Sequence, residues 1–505
     1  MSSNRSADVV IVGSGPAGST FARVLVDEFP GLRIVMVEAG PSTGEPPGRH
    51  VNTISDLDLK AAAQRASEGP DPEHRSGPPT IGPGPARPGT FLVDRDGEMP
   101  AAAMSSNVGG MGAHWTCACP PPGDGERIDF LPRAEFDSLF AEASTLLGVT
   151  QTAFEDAPLG RELRAALGAH FDDGRAPDRK VQPMPLAVTV RPDGSRYWTG
   201  TDVILGEVAS SPSFELLAET LATRILHDAG RATGVEVRSL RTGERSTITA
   251  GAVVVAADAL RTPQLLFASG IRPAALGRHL NDHTQVIALA RLDDRFIPTE
   301  ARTRPKQAGG PLEGYSGVSW IPYDRNSFPF HGQIMQMGTS PIPLGDVEEP
   351  WPGSIVGIGL FATKHIREDD RVEFDPAETD GYGLPRIRLR YQLDEVDQQT
   401  IQDAISWADR IAHMIGSPLG GPPRLLPAGS SLHYMGTVRM GIADDGTSVC
   451  DPESRLWGLE NVFVGGNGVL PAPTACNPTA TSLALAIRAA RALGRGLKDR
   501  SVDAA

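Results

Sequence analysis

Residues 8–18, Asp-Val-Val-Ile-Val-Gly-Ser-Gly-Pro-Ala-Gly, decide the fold. The opening run to Val12 is apolar and rich in β-branched residues, the pattern of a central parallel strand covered on both faces. Gly13, Gly15 and Gly18 follow at GxGxxG spacing, and from Ala17 to about Glu28 the residues Phe21, Val24 and Leu25 recur at helical spacing. Gly13 permits the tight turn, Gly15 lets the backbone approach a pyrophosphate, and Gly18 lets helix and strand pack closely. The helix N-terminus then holds the diphosphate. A second apolar run, 33–37, ends at Glu38, 20 residues beyond Gly18, where a strand-end carboxylate accepts hydrogen bonds from ribose hydroxyls. Strand, turn, helix, strand and acid agree on a nucleotide-binding α/β unit. They do not separate FAD from NAD, since both present an ADP half.

Beyond Gly40 the stretch 41–103 is dense in Pro, Gly, Asp and Glu and reads as an extended loop or lid with little regular structure. Residues 104–120, MSSNVGGMGAHWTCACP, combine small residues with one aromatic and one histidine and suit a segment lying flat against a planar ligand. Helical periodicity returns at 134–147 and 160–170. The run 214–237 reads as strand, helix or strand, turn and strand, and 252–256 as a buried strand followed by a helix that contains Pro263. The middle, about 285–425, alternates strand-like runs (355–360, 386–391) with loops and a helix at 394–415, as a separate sheet-based unit would. Near the end, 461–468 runs a short strand into glycines, and a small-residue loop leads into a helix from about Ala480 to Leu493. Its N-terminus can stabilise negative charge on a bound cofactor.

At 505 residues the chain has room for two or three domain-sized units. Hydrophobic residues at 40% and charged residues at 22% exclude wholesale disorder and a coiled coil. A net charge of −15 with no dense Lys/Arg run disfavours nucleic acid. The four cysteines, Cys117, Cys119, Cys450 and Cys476, make no disulfide framework and fit a reducing compartment. With no signal-peptide pattern and no membrane-length apolar run, the reading is a soluble cytoplasmic protein that neither enters nor binds a membrane.

Four segments, GSGPAGS with Glu38, VVVAADALRTPQLLFASGI, GRHLNDH and NVFVGGNGVLPAPTACNPTATSLALAIRAA, resemble the glucose-methanol-choline (GMC) oxidoreductases, flavoenzymes that oxidise alcohols. Within that family, VGGMGAHWTCACP (108–120) and HYMGTVRMG (433–441) are most similar to the pyranose oxidase branch and bacterial glycoside 3-oxidases. The resemblance implies an α/β fold: a Rossmann-like FAD-binding domain from 1–125, 200–285 and 430–505, and a sheet-based α+β substrate domain from 126–199 and 286–429. Residues 41–103 form a loop or lid insertion within the first segment. It implies FAD contacts from Gly13, Gly15, Pro16, Ala17, Gly18, Glu38, Ala39, Gly109, Gly110, His114, Trp115, Thr116, Ala257, Asn467, Pro478 and Thr479.

By the same resemblance His433 is the catalytic histidine and Asn477 its partner. A neutral His433 takes the hydroxyl proton while hydride leaves for flavin N5, and Asn477 steadies the alkoxide oxygen. His114, in a His-Trp-Thr setting, matches the position that links FAD covalently in pyranose oxidases, and the reading leaves that bond open. Thr116 faces flavin N5 and O4. The stretch 333–351 resembles a mobile substrate loop with Gln333 a sugar contact, and Lys364 with His365 faces the pocket. The expected reaction is oxidation of a secondary hydroxyl (C2 or C3) of a sugar or glycoside to a ketone, with oxygen or a quinone-like acceptor reoxidising the flavin. Alternatives are a GMC enzyme of a nonsugar alcohol and a catalytically silent FAD-binding interaction protein; an NAD-dependent dehydrogenase ranks below both. Assembly stays open between monomer and homo-oligomer. Cys117 and Cys119 lack the spacing and second pair of a zinc site and read as packing groups, and no metal is expected. Asn281-Asp282-His283 reads as structural, and Ser14 sits in the phosphate turn without a nucleophile elbow.

Overall fold

The computed structural model describes residues 5–70, 88–157, 159–296, 317–337, 351 and 353–503. The chain opens with strand β1 (Arg5–Val12), helix α1 (Pro16–Glu28) and strand β2 (Ile34–Val37). Helices α2 (Leu57–Ala66), α3 (Arg133–Leu146) and α4 (Gly160–Phe171) follow. Strands β3 (Phe214–Leu217), β4 (Thr220–Asp228), β5 (Arg231–Ser239) and β6 (Arg245–Val255) then lead into helix α5 (Asp258–Ala268). A second set comprises β7 (Thr284–Leu292), β8 (Gly317–Ile321), β9 (Phe330–Met337), β10 (Ile355–Ala362), helix α6 (Glu395–Ile415) and β11 (Gly416–Leu425). The chain closes with β12 (Val462–Val464) and helix α7 (Thr479–Asp503).

The first sheet has the order β3-β2-β1-β6-β5-β4, with β12 pairing β6. Strands β2, β1, β6 and β12 run parallel, and the register brings Val12 beside Val37 and Val255, and Val255 beside Val464. These four strands therefore end together, and the residues after them, Glu38, Gly13, Ala256 and Gly465, share one edge, where open parallel sheets bind ligands. Val9, Val10 and Ile11 are fully buried because α1 and α7 cover one face while the antiparallel strands and the 430–470 segment cover the other. Pro16 occupies the first turn of α1, where its missing N–H costs nothing.

The second sheet has the order β11-β7-β10-β9-β8, extended by a short strand at Gln182–Pro183. Along β7 burial alternates: Val286, Ala288, Ala290 and Leu292 pack with Ile401, Ala404, Ala408 and Ile411 of α6. Gln285 and Ile287 point to the opposite face, by the two-residue period of a strand. Cross-strand register puts Gln285, Phe361 and His331 on that same face, with Gln333 and Gly359 one step along. This face looks toward the edge where the parallel strands end, and the cavity described below lies between them.

Two expectations needed revision, and one alternative left open is resolved. Helix α2 lies inside the stretch read as unstructured: Asp56 caps it, its side chain accepting from the Asp58 and Leu59 amides, and the Ala-rich run that follows propagates it despite the Pro/Gly-rich surroundings. The ambiguous part of 214–237 is three strands with no helix. Helix α3, placed with the substrate domain from sequence, packs on α7 of the first unit, its apolar residues joining that core and Arg488 and Arg491 pairing with Glu135 and Glu142. The part of the lid at 71–87 and the greater part of the substrate loop, 338–350, lie outside the described residues.

Candidate active site

One elongated cavity runs from the ends of the parallel strands to the second sheet. At its near end Gly13, Gly15, Pro16, Ala17, Glu38, Ala39 and Ala257 line the wall. A side chain on Gly13, which sits at φ +99°, would overlap the Ala256 carbonyl, and one on Gly18 would overlap the Gly13 carbonyl. A Cβ on Gly15 would meet nothing nearer than the Gly109 carbonyl at 4.0 Å. The outer two glycines thus serve backbone packing, and the middle one leaves free the space a pyrophosphate needs. Glu38 accepts from the Ser14 amide (3.1 Å), the Ser14 hydroxyl (2.8 Å) and the Gly40 amide (2.8 Å). Burial raises its pKa, and these donors oppose the shift. Gly110, Trp115, Thr116, Asn467 and Thr479 continue the wall, so the N-terminus of α7 opens onto the cavity.

At the far end His433, Asn477 and Gln333 converge from three distant segments. Gln333 Nε2 donates to Asn477 Oδ1 at 2.7 Å. That bond leaves the Asn477 amide nitrogen facing His433 Nε2 at 3.2 Å, where an N–H donor requires a lone pair on the imidazole. The proton of His433 is therefore on Nδ1, which donates to His283 Nδ1 at 2.9 Å. Burial lowers His283 to about 3, with Glu126 opposing and His331 adding to the shift, so His283 stays neutral and keeps an acceptor toward His433. The backbone that presents His433 is fixed as well. Asp282 accepts from the His433 amide at 3.1 Å and from the Ser431 hydroxyl, while burial pushes its pKa up to about 7. The chain enters His433 through Leu432 at φ +60°, a left-handed conformation that costs a side-chain-bearing residue free energy.

Two family models described as GMC oxidoreductase match residues 124–285 and 367–486. The chain is 50% identical over 496 residues, 96% of each protein, to a C-glycoside 3-oxidase of Microbacterium trichothecenolyticum. It is 32% identical to a pyranose 2-oxidase of Tricholoma matsutake, over 96% of this chain and 93% of that one. The chain belongs to the GMC oxidoreductase family. A solved formate oxidase, only 15% identical but covering 98% of this chain and 99% of its own with a TM-score of 0.69, shares the fold.

The cofactor of this GMC oxidoreductase is FAD, and the cavity fits it: a phosphate-sized gap over Gly15, a carboxylate for the ribose at Glu38, and two helix N-termini, of α1 and α7, toward which its negative charge can be directed. Among the residues assigned to FAD, Gly18, Gly109, His114 and Pro478 do not line the cavity. Gly18 acts through packing, and Gly109 positions the glycine turn, its amide donating to the Ser14 hydroxyl at 2.9 Å. Pro478 leads into α7, its carbonyl accepting from the Ser482 amide. His114 lies behind the wall with its Cε1 edge against Gly89; both ring nitrogens are shielded and lack partners among the described residues, and burial lowers its pKa to about 4.

Lys364 is the assignment that the structure moves out of the site. Its side chain is wholly buried, its ammonium paired with Asp370, 3.8 Å from Asp397, and 4.8 Å from the centre of the Tyr391 ring. An ammonium that has two carboxylates and an aromatic face is already compensated and has none of its donors turned to the cavity. His365 is half exposed and pairs with Asp394 instead. His283, read from sequence as structural, is in direct contact with His433. Cys117, Cys119, Cys450 and Cys476 are buried free thiols.

Proposed function

We propose that this enzyme oxidises the C3 hydroxyl of a sugar held in glycosidic linkage to the ketone, with oxygen or a quinone-like acceptor taking the electrons. The observation that carries the chemistry is the Asn477 Nδ2 to His433 Nε2 contact at 3.2 Å, an imidazole nitrogen set beside a carboxamide on the cavity wall, where an amide donor calls for the imidazole lone pair. A substrate hydroxyl entering between them donates its proton to His433 Nε2 and accepts from Asn477, so alkoxide character is stabilised as the proton leaves. His283, a neutral acceptor on Nδ1, holds the imidazole in its productive tautomer and steadies the imidazolium once formed. Bound FAD supplies the hydride acceptor. Gln333 orients Asn477 and offers a polar contact to the ring hydroxyls. The choice of C3 and of a glycoside rests on the 50% identity to the Microbacterium C-glycoside 3-oxidase, and the apolar residues Met335 and Phe361 beside Gln333 suit an aglycone.

The test is anaerobic bleaching of the flavin's visible absorbance by an aryl C-glycoside, free glucose, choline and an aryl alcohol, followed by identification of the ketone. Bleaching by the glycoside with a 3-keto product is expected, and His433→Ala should abolish it while the protein stays yellow. Bleaching by the nonsugar alcohols alone would transfer the reading to another branch of the family, and bleaching by none of them would leave FAD a structural ligand.

A further inference from the structure

Glu126 is 4% exposed, and its carboxylate gathers five donors. Oε1 accepts from the amides of Ala475 (2.7 Å) and Cys476 (3.1 Å) and from the Thr474 hydroxyl (3.2 Å). Oε2 accepts from the Gly123 amide (2.6 Å) and from His331 Nε2 (3.0 Å). Trp320 Nε1, which can only donate, reaches His331 Nδ1 at 3.0 Å, so the imidazole directs its own N–H at Glu126. Burial alone would raise the Glu126 pKa, but the hydrogen bonds from His331 and from the amides of Gly123 and Ala475 oppose it and favour the carboxylate.

The five donors come from three places: the 123–126 turn, strand β9, and the turn ending one residue before Asn477. His331 and Gln333 sit two apart on β9 and face the same way. From the two anchored points, Asn477 and Gln333 reach toward each other and meet at 2.7 Å. Only a carboxylate offers acceptors on both sides of the fork, and a buried anion without a full cation partner is costly enough that hydrophobic filler would serve mere packing better.

We propose that Glu126 is the positioning residue of the active centre, its carboxylate tying the turn that carries Asn477 to the strand that carries Gln333 and so setting the spacing at which both carboxamides and His433 meet the substrate hydroxyl. The inference rests on the functional reading above but is tested partly without turnover. In Glu126→Gln the side-chain amide must point its N–H₂ at one set of donors, so that arm is released. The crystal structure of the Glu126→Gln holoenzyme is expected to show the 474–477 turn displaced and the Gln333–Asn477 or Asn477–His433 contact opened beyond hydrogen-bond distance. Flavin reduction by glycoside is expected to slow by about 10²-fold, the scale of a 1 Å misplacement, while the substrate Kd changes by less than about threefold. In an Asn477→Ala background the same substitution should cost less than about threefold, because the residue it positions is already gone.

Both contacts intact in the variant crystal would overturn the proposal, as would an unchanged reduction rate or a loss that multiplies fully with that of Asn477→Ala. The crystallographic arm reads the position of Asn477 whatever the substrate, so a failed glycoside assignment and a failed positioning role are distinguishable. If Glu126→Gln yields no folded holoenzyme, Thr474→Val, which deletes one of the five donors, is read by the same measurements. It is expected to displace the turn and slow reduction about tenfold, the worth of one hydrogen bond to a charged group; an unmoved turn or an unchanged rate would overturn the proposal.

Discussion

Asn477→Asp tests the base assignment through charge at nearly constant shape. Oδ1 can keep the bond it accepts from Gln333, but the atom 3.2 Å from His433 Nε2 changes from an N–H donor to a carboxylate oxygen. Two unit charges at that distance attract by about 5 kcal/mol at an effective dielectric of about 20, which at about 1.4 kcal/mol per unit is a ceiling of roughly 4 pKa units. Water in the cavity and the cost of desolvating the new charge reduce this to about 1–3 units. The direction follows from the charges: an adjacent anion favours the imidazolium, so Nε2 stays protonated to higher pH and the free base is lost at neutrality. Stopped-flow flavin reduction should therefore fall at neutral pH, by at most about 10³-fold, and recover as the pH is raised, whereas Asn477→Ala stays slow throughout. An Asn477→Asp profile that is scaled down with its acid limb unmoved would refute His433 Nε2 as the proton acceptor.

Gly15→Ala and Gly18→Ala separate ligand space from packing: the first has open space around its Cβ and should fold normally but lose FAD affinity, while the second overlaps the Gly13 carbonyl and should lower stability by roughly 1–3 kcal/mol in denaturant titration. Equal effects of the two on the apoprotein would contradict that division. Lys364→Met leaves Asp397 without its cation and Asp370 with only Arg367, 3.6 Å away, and should cost about 3–5 kcal/mol of stability with no rise in glycoside KM; a raised KM at unchanged stability would return Lys364 to the substrate. Because the His114 ring lies against Gly89 and is not among the residues lining the cavity, acid precipitation should release FAD to the supernatant, and a yellow pellet would establish a covalent bond.

The nucleotide half was legible because its signals are local. Gly13, Gly15, Gly18 and Glu38 lie within one strand-turn-helix-strand unit, where spacing alone fixes geometry, and the structure puts them at the aligned ends of parallel strands. His433 and Asn477 were reachable only through resemblance, since nothing in the stretch between them, 44 positions from one to the other, records that they meet. Lys364 misled because a lysine after a buried strand has the same local appearance whether its head points to a pocket or to buried acids. The acids that decide the matter, Asp370 and Asp397, are themselves ordinary in their own contexts. Helix α2 was hidden by averaging composition over a stretch whose cap and alanines occupy only a short part of it.

Glu126 marks the limit of sequence reading for a physical reason. Its neighbours in the chain, Gly-Asp-Gly-Glu-Arg, spell a solvated turn, and a carboxylate there would ordinarily face water. What draws it inside is a set of donors from residues 331 and 474–476, more than 200 positions away, buried together and turned to a shared acceptor. The same long-range closure accounts for the site as a whole. His433 hangs from the 430–435 turn, Asn477 from the loop before α7, and Gln333 from the second sheet, so the three align only when both sheets have formed and docked. A substitution that loosens the docking is therefore expected to act on the rate of hydride transfer before it acts on FAD retention, because the glycine turn and Glu38 belong entirely to the first sheet and need no partner from the second.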